Sequence, residues 1–278
     1  LQKASEKVDQ AELFSLESGN MSIGFRNGIL REMRESQDSG CCLRIIKDGR
    51  IAQVTTSNMD KAINMVDEAL ELVPYGEQVA FNFAEPADIP ELEKPVAPKK
   101  DLDHMVNQSQ VIIDALKAYD ANMMPNSGSD LSTVKVTVMN SNGVDYSYET
   151  TTKSISAVAI LAEEGNILST FRYNMGQEEC ADPQLLATKV INLVKMGRNN
   201  VPFSGGQIPV LLTPYALADI FAAFGAGISG GAVAKGMSPL TGKVGEQILN
   251  EKISIIDDGL FPLATGTQAF DDEGIPCR

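Results

Sequence analysis

The sequence predicts an α+β fold of mostly antiparallel sheets backed by helices, and three observations carry that prediction. Asn27-Gly28, Asp48-Gly49 and Asn142-Gly143 sit between runs of alternating apolar and polar residues. Two-residue hairpins need positive φ at such positions, and hairpins join antiparallel neighbours. Each group of hairpins is followed by one stretch of helical apolar spacing, residues 59–72 and 183–196. Two hairpin-plus-helix units are therefore expected, and each helix should cover a sheet face.

The elements follow in order. Residues 11–57 alternate through Leu13, Ser15 and Glu17, then Met21, Ile23 and Phe25, then 29–33, 42–46 and 51–54, and read as strands. Asn58 caps a helix with Met59, Ala62, Ile63, Val66 and Leu70 on one side, and Pro74 stops it. Residues 75–100 carry Pro86, Pro90, Pro95 and Pro98 with no period, as an extended connector would. Asp101 caps a second helix whose apolar positions include Leu102, Met105, Ile112 and Leu116. Strands return over 132–175, with Val134, Val136 and Val138 alternating and a turn at Glu164-Gly165-Asn166. Asp182-Pro183 then opens a helix that Gly197 closes, the usual order of capping residue and first-turn proline. Gly28 to Gly49 spans 49 − 28 = 21 residues and Gly143 to Gly165 spans 165 − 143 = 22, so the two units have the spacing of an internal repeat.

The predicted domains are 1–200, made of units 1–74 and 101–200 joined by the connector 75–100, and 201–278, the first part of a strand-rich C-terminal domain. There, 208–212 and 252–256 read as strands, 244–249 as a short helix, and Tyr215–Phe224 as an apolar helix opened by Pro214. From Tyr215 to Val233 the only charge is Asp219, and a helix apolar nearly all round must be buried in its own core or against another chain. Leu1-Gln2-Lys3-Ala4-Ser5-Glu6-Lys7 lacks an initiator Met and reads as the end of a helix, so residues are expected before Leu1. A polar finish at Asp271–Arg278 leaves the last unit short of core partners.

Composition narrows the function. Across 278 residues, 43% are hydrophobic and 22% charged, as in globular proteins. Lys plus Arg is 23 against 37 Asp plus Glu, a net charge of −14, which offers no basic face for direct nucleic-acid binding or for an anionic membrane. Cys41, Cys42, Cys180 and Cys277 show no C-x-x-C spacing, which fits a reducing, cytoplasmic setting. His104 is the only histidine. Catalytic zinc commonly takes two or three His, or one with thiolates, so no metal, cofactor or catalytic residue is expected here. His104 itself reads as a rim residue.

Other motifs read as ordinary structure. Gly225-x-Gly227-x-x-Gly230 matches a dinucleotide fingerprint only as text, because a helix rather than a strand precedes it. Leu240-Thr241-Gly242-Lys243 lacks the glycine loop of a phosphate cradle. Asp257-Asp258 and Asp271-Asp272-Glu273 could meet a hard cation but lack calcium-loop spacing, and read as solvated turns. There is no G-x-S-x-G elbow.

One series is specific. Residues 208–214, Ile-Pro-Val-Leu-Leu-Thr-Pro, lead to Ala216–Phe224, then Ser238-Pro239-Leu240, residues 242–246 and Ile255-Ile256-Asp257-Asp258. Phe270-Asp271-Asp272-Glu273-Gly274-Ile275-Pro276 closes it. This series resembles the TldD/PmbA family, also called modulators of DNA gyrase, and residues 40–56 are similar to its N-terminal domain. The resemblance implies a zinc metalloprotease of TldD-like and PmbA/TldE-like subunits acting on small, unfolded or partly modified peptides. The TldD-like subunit carries an H-E-x-x-x-H helix, whereas Ala218–Gly227 here holds no His and no Glu. The chain therefore resembles the PmbA/TldE side: a non-catalytic partner expected to form homodimers, to join a TldD-like subunit and to present peptide. The alternatives are a peptidase or hydrolase in its own right, using the acidic clusters and a metal, or a gyrase-binding protein.

Overall fold

A computed structural model describes residues 1–163, 165–199 and 201–278. Glu164, in the predicted turn, and Asn200, at the predicted domain boundary, lie outside the described residues. Six strands form one antiparallel sheet: β1 (Gln10–Arg26), β2 (Ile29–Lys47), β3 (Arg50–Thr56), β4 (Met124–Asn140), β5 (Asp145–Glu163) and β6 (Asn166–Gly176). Their order is β3-β2-β1-β4-β5-β6, so two three-stranded meanders meet along β1 and β4. That arrangement matches the spacing repeat and realises the α+β prediction with a single sheet.

The turns explain the meanders. Asn27 and Gly28 have φ of 50° and 75°, and Asp48 and Gly49 have 51° and 70°, as tight hairpins require. The third turn differs. Only Gly143 is positive, at 103°, and the Asn140 side chain holds the loop by accepting from the Asn142 and Val144 amides at 3.0 and 3.1 Å.

All three covering helices lie on one face. After a short first helix, α1 (Gln2–Ser5), come α2 (Met65–Leu72), α3 (Leu102–Tyr119) and α4 (Pro183–Gly197). Alternation decides what they cover: Leu13 pairs with Leu43 on the helix side, while Phe14 pairs with Cys42 and Val138 on the other. Neighbouring Cys41 and Cys42 thus face opposite ways, Cys41 into the core under α2. Met65, Val66 and Ala69 of α2 pack on Leu43, Ile45 and Ala52. Ile112 and Leu116 of α3 and Leu186 and Val190 of α4 pack on Ile155, Ala157 and Leu161. Residues 59–64, predicted as the first turns of one helix with α2, are a 3-10 helix whose Met59 and Ile63 are exposed. Without burial those turns gain nothing from a longer α-helix.

The opposite face is covered in part by the connector and by residues 258–278. Phe270, Ala269 and Ala84 pack on Val136, Val138 and Tyr148 there. The connector also guards the edge of β3, where Ile51 donates to the Glu77 carbonyl at 3.0 Å and Val79 to that of Gly49 at 2.9 Å. Gly76 makes this approach possible, because a Cβ there would stand 2.0 Å from the Ile51 carbonyl oxygen. Gly76→Ala is therefore expected to cost about 2–3 kcal/mol by lifting the connector off β3. Urea unfolding should show a lower midpoint with an unchanged slope; an unchanged midpoint would refute the close approach.

Residues 201–257 form a second compact unit, apart from residues 1–200 with 258–278. It contains α5 (Pro214–Ile228) and α6 (Gly230–Ala234). Thr213 caps α5, its hydroxyl accepting from the Ala216 amide at 3.4 Å, and Pro214 opens it as predicted. The rest of this region corrects the sequence reading. Residues 208–212 and 252–256 are not strands, and Leu211 is 95% exposed. A strand is stable only with neighbours to receive its hydrogen bonds, and no strand is formed among the described residues of this unit. Residues 244–249 make turns and bends rather than a helix. Gly230 and Gly231 begin α6.

Candidate functional site

Three places gather chemistry-bearing residues. The first is the family-like run 270–276 on the face opposite the helices. Phe270 is its anchor, packed against the rings of Tyr146 and Tyr148 at centroid distances of 5.4 and 5.2 Å. Asp271 is spent on the turn, its carboxylate accepting from the Glu273 and Ile275 amides at 2.9 Å each. Gly274 has φ 77°, and a Cβ there would meet Val144 at 3.0 Å, so the turn can press against the sheet only with glycine. The acidic cluster is thus mainly a self-capped turn, as its sequence suggests.

Glu273 reaches further. Arg44 on β2 donates to Glu273 at 2.8 Å and, through Nε at 2.8 Å and Nη2, to Glu12 on β1. Phe83 of the connector lies under the guanidinium, 5.4 Å from ring centroid to Cζ. Glu12 is only 1% exposed, and its Oε2 has no hydrogen-bond partner among the described residues. Burial pushes its carboxyl above the usual range, against the pull of Arg44. One arginine therefore ties two strands and the 270–276 turn together. Sequence reasoning missed it because Glu12 and Arg44 look like ordinary alternating strand residues.

The second place surrounds His104. Asp101 caps α3, accepting from the Asp103 and His104 amides at 3.0 and 3.3 Å, which sets His104 on the first turn. Its Nε2 lies 3.7 Å from Glu179, and the side chain is 32% exposed, a rim position as predicted. Glu179 is a hub: it also accepts from Gln108 at 3.2 Å, from the Cys180 amide at 3.2 Å, and from Lys153. Burial raises the Glu179 carboxyl, and Lys153, Gln108 and the Lys99 amide outweigh it, leaving it below the usual range. Lys153 is fully buried on β5. Burial in the same neighbourhood pushes the Cys180 thiol up to about 11, so it stays protonated. Again the periodicity showed the helix and strand but not which polar side chains would meet beneath them.

The third is the apolar helix α5. None of its residues is buried; Ile220 and Phe221 are 52% and 39% exposed. Within its unit a groove of about 710 Å³ is lined by Phe224, Ile228, Ile248, Leu249, Ile253 and Ile255. Gly225 and Gly227 lie within α5 itself, so no strand-to-helix loop exists there to cradle a phosphate. Lys243 pairs with Glu246 at 3.6 Å, and the Asp258 carboxylate accepts from the Leu260 amide at 2.9 Å, which leaves both in turns. Among the described residues no group of three or more His, Cys, Asp or Glu is placed to hold a metal ion. Among the same residues no helix is long and apolar enough to cross a membrane.

These features place the chain in a class of α+β proteins with a doubled antiparallel meander and an apolar-helix unit. The same architecture occurs in the crystal structure of TldE from Thermococcus kodakarensis, with a TM-score of 0.90 at 21% identity, over 100% of this chain and 65% of that one. Models of the PmbA/TldA metallopeptidase domain 1, central domain and C-terminal domain match residues 11–73, 90–195 and 205–278. The chain belongs to the PmbA/TldD metallopeptidase family. It is 26% identical over 273 residues to an uncharacterized protein of Methanocaldococcus jannaschii, covering 95% of this chain and 62% of that protein. It is 32% identical over 97 residues to the metalloprotease TldD homolog of Haemophilus influenzae, 34% of this chain and 20% of that one. The chain thus spans under two thirds of the length of the curated relatives it matches.

Proposed function

We propose that this chain is the PmbA/TldE-like, non-catalytic partner of a TldD-type zinc metalloprotease acting on small or unfolded peptides in the cytoplasm. The observation that carries the reading is the make-up of α5. A TldD-like helix supplies two His for zinc and a Glu to activate water. From Pro214 to Ile228 this helix holds no His, Cys or Glu, only Asp219 as a possible oxygen ligand. These residues do not fit a zinc site. The exposed apolar side chains of the same helix suit packing against a partner chain, first a second copy and functionally a TldD-like subunit. The acidic composition supports a protein or peptide partner over nucleic acid.

Peptide cleavage by a TldD-type subunit, measured with and without this chain, tests the reading. Activity should rise on the order of tenfold or more when the chain is added, a gain of about 1.4 kcal/mol in transition-state stabilisation or assembly. The chain alone should be inactive and bind well under one zinc per molecule. Chelator-sensitive cleavage by the chain alone, or a TldD-type activity indifferent to it, would overturn the proposal.

A further inference from the structure

Beneath α3 lies a polar seam that the proposed partner role does not use. Lys153 is fully buried, and its ammonium has three N–H groups. Among the described residues only Glu179 accepts a hydrogen bond from it. Three further buried side-chain atoms have no hydrogen-bond partner among the described residues: Gln108 Oε1, Ser109 Oγ and Ser129 Oγ. Buried polar groups are nearly always satisfied, by protein or by ordered water.

The topology brings these four groups together. Gln108 Nε2 and Lys153 Nζ donate to the same oxygen of Glu179, so the Gln108 amide stands beside the ammonium. Ser129 pairs with Ile155, and Leu131 pairs with Lys153. Ser129 and Lys153 are therefore diagonal neighbours on the helix-covered face. Ser109 faces the sheet from the same stretch of α3. It lies one helical turn from Met105, Ile112 and Ile113 on the inner side of α3. Met105 and Ile113 pack with Leu131, and Ile112 clusters with Ile155, the cross-strand partners of Lys153 and Ser129. The seam thus runs between two apolar clusters, closed off by α3.

We infer that the seam is a binding site for an ordered internal water, held by Lys153, Gln108, Ser109 and Ser129. The chemistry selects water over other occupants. Glu179 already balances the ammonium, so an anion would add an uncompensated charge, and a cation would meet the ammonium directly. A water accepts two hydrogen bonds and donates two. It can accept from Lys153 and one serine hydroxyl while donating to Gln108 Oε1 and the other serine oxygen. Four polar partners supply the hydrogen bonds that a retained buried water needs.

A high-resolution crystal structure of the chain, with thermal melting of Ser129→Ala, tests the site. Density for a water within hydrogen-bond distance of Lys153 Nζ and a serine Oγ is expected. Removing Ser129 Oγ should then lower the melting temperature by about 2–4 °C, because a bonded hydroxyl is lost. If no water binds, that substitution deletes an unsatisfied hydroxyl and should leave the melting temperature unchanged or raise it. That result, or a crystal structure in which the seam is dry, overturns the inference.

Discussion

Arg44→Ala is expected to destabilise the protein by about 3–5 kcal/mol at neutral pH, the cost of leaving a buried charge uncompensated. The charge is Glu12, 1% exposed and, among the described residues, bonded through one oxygen to Arg44 alone. The sign of the pH dependence follows from the direction of its shift. Burial already holds the Glu12 carboxyl above its ordinary value in the folded chain, with Arg44 pulling the other way. A carboxyl raised on folding contributes stability that is full below its unfolded value and lost as pH rises through its folded value. Removing Arg44 raises the folded value further and steepens the loss. The gap in melting temperature between wild type and Arg44→Ala should therefore be small near the ordinary carboxyl range and widen toward neutral pH. Melting curves across that range check it, and adding Glu12→Gln should flatten the dependence. A gap that does not vary with pH would refute the assignment of the cost to Glu12.

Phe270→Ala should cost about 3–4 kcal/mol, the range for truncating a buried aromatic side chain. The ring is 2% exposed and contacts both Tyr146 and Tyr148. The loss should fall on one segment first. The backbone bonds of residues 258–278 fold the segment on itself, among them Asp271 to Ile275 at 2.9 Å and Cys277 to Ala269 at 3.0 Å, while side chains such as Phe270 and Glu273 tie it to the sheet. Without the anchor, exchange at the Asp271 and Cys277 amides should speed up by on the order of tenfold or more, ahead of the central ladder of β1 and β4. Uniform acceleration across the sheet would mean that the segment and the sheet open as one.

The turns and helices were legible because their signals are local. Asn27-Gly28, Asp48-Gly49, Asp101 and Asp182-Pro183 each act on residues within a few positions, and the structure places each where the pattern put it. What the sequence could not show were pairings across distance. Arg44 meets Glu273 at a separation of 229 residues, and Lys153 meets Glu179 at 26. Alternation says that Arg44 and Lys153 occupy a face but not what covers it. The strands read at 208–212 and 252–256 failed for a related reason. Apolar runs such as Val210-Leu211-Leu212 suit a strand, but pairing depends on a neighbour, and none forms among the described residues of that unit. The family-like series was legible as text, while the role of Phe270 as an anchor needed the tyrosines of β5 beside it.

The order of the strands has a kinetic corollary. Four of the five ladders join strands that follow each other through a short turn, and such hairpins form in microseconds. The fifth sets Gly19 opposite Thr133, 133 − 19 = 114 positions apart. Closing so long a loop costs entropy that local contacts do not repay, so the seam between the meanders should join late. During synthesis β1 emerges well before β4, and one edge of a 17-residue strand waits unpaired. Such an edge is a template for pairing with the wrong chain. The middle of β1 reads Ser15, Leu16, Glu17, Ser18, Gly19, Asn20, and its partner stretch on β4 includes Ser132, Thr133 and Lys135. Apart from Leu16, the β1 side chains there are small, polar or charged and give a stray strand little apolar surface to hold. The polarity at the centre of this sheet thus guards the nascent chain during its longest wait.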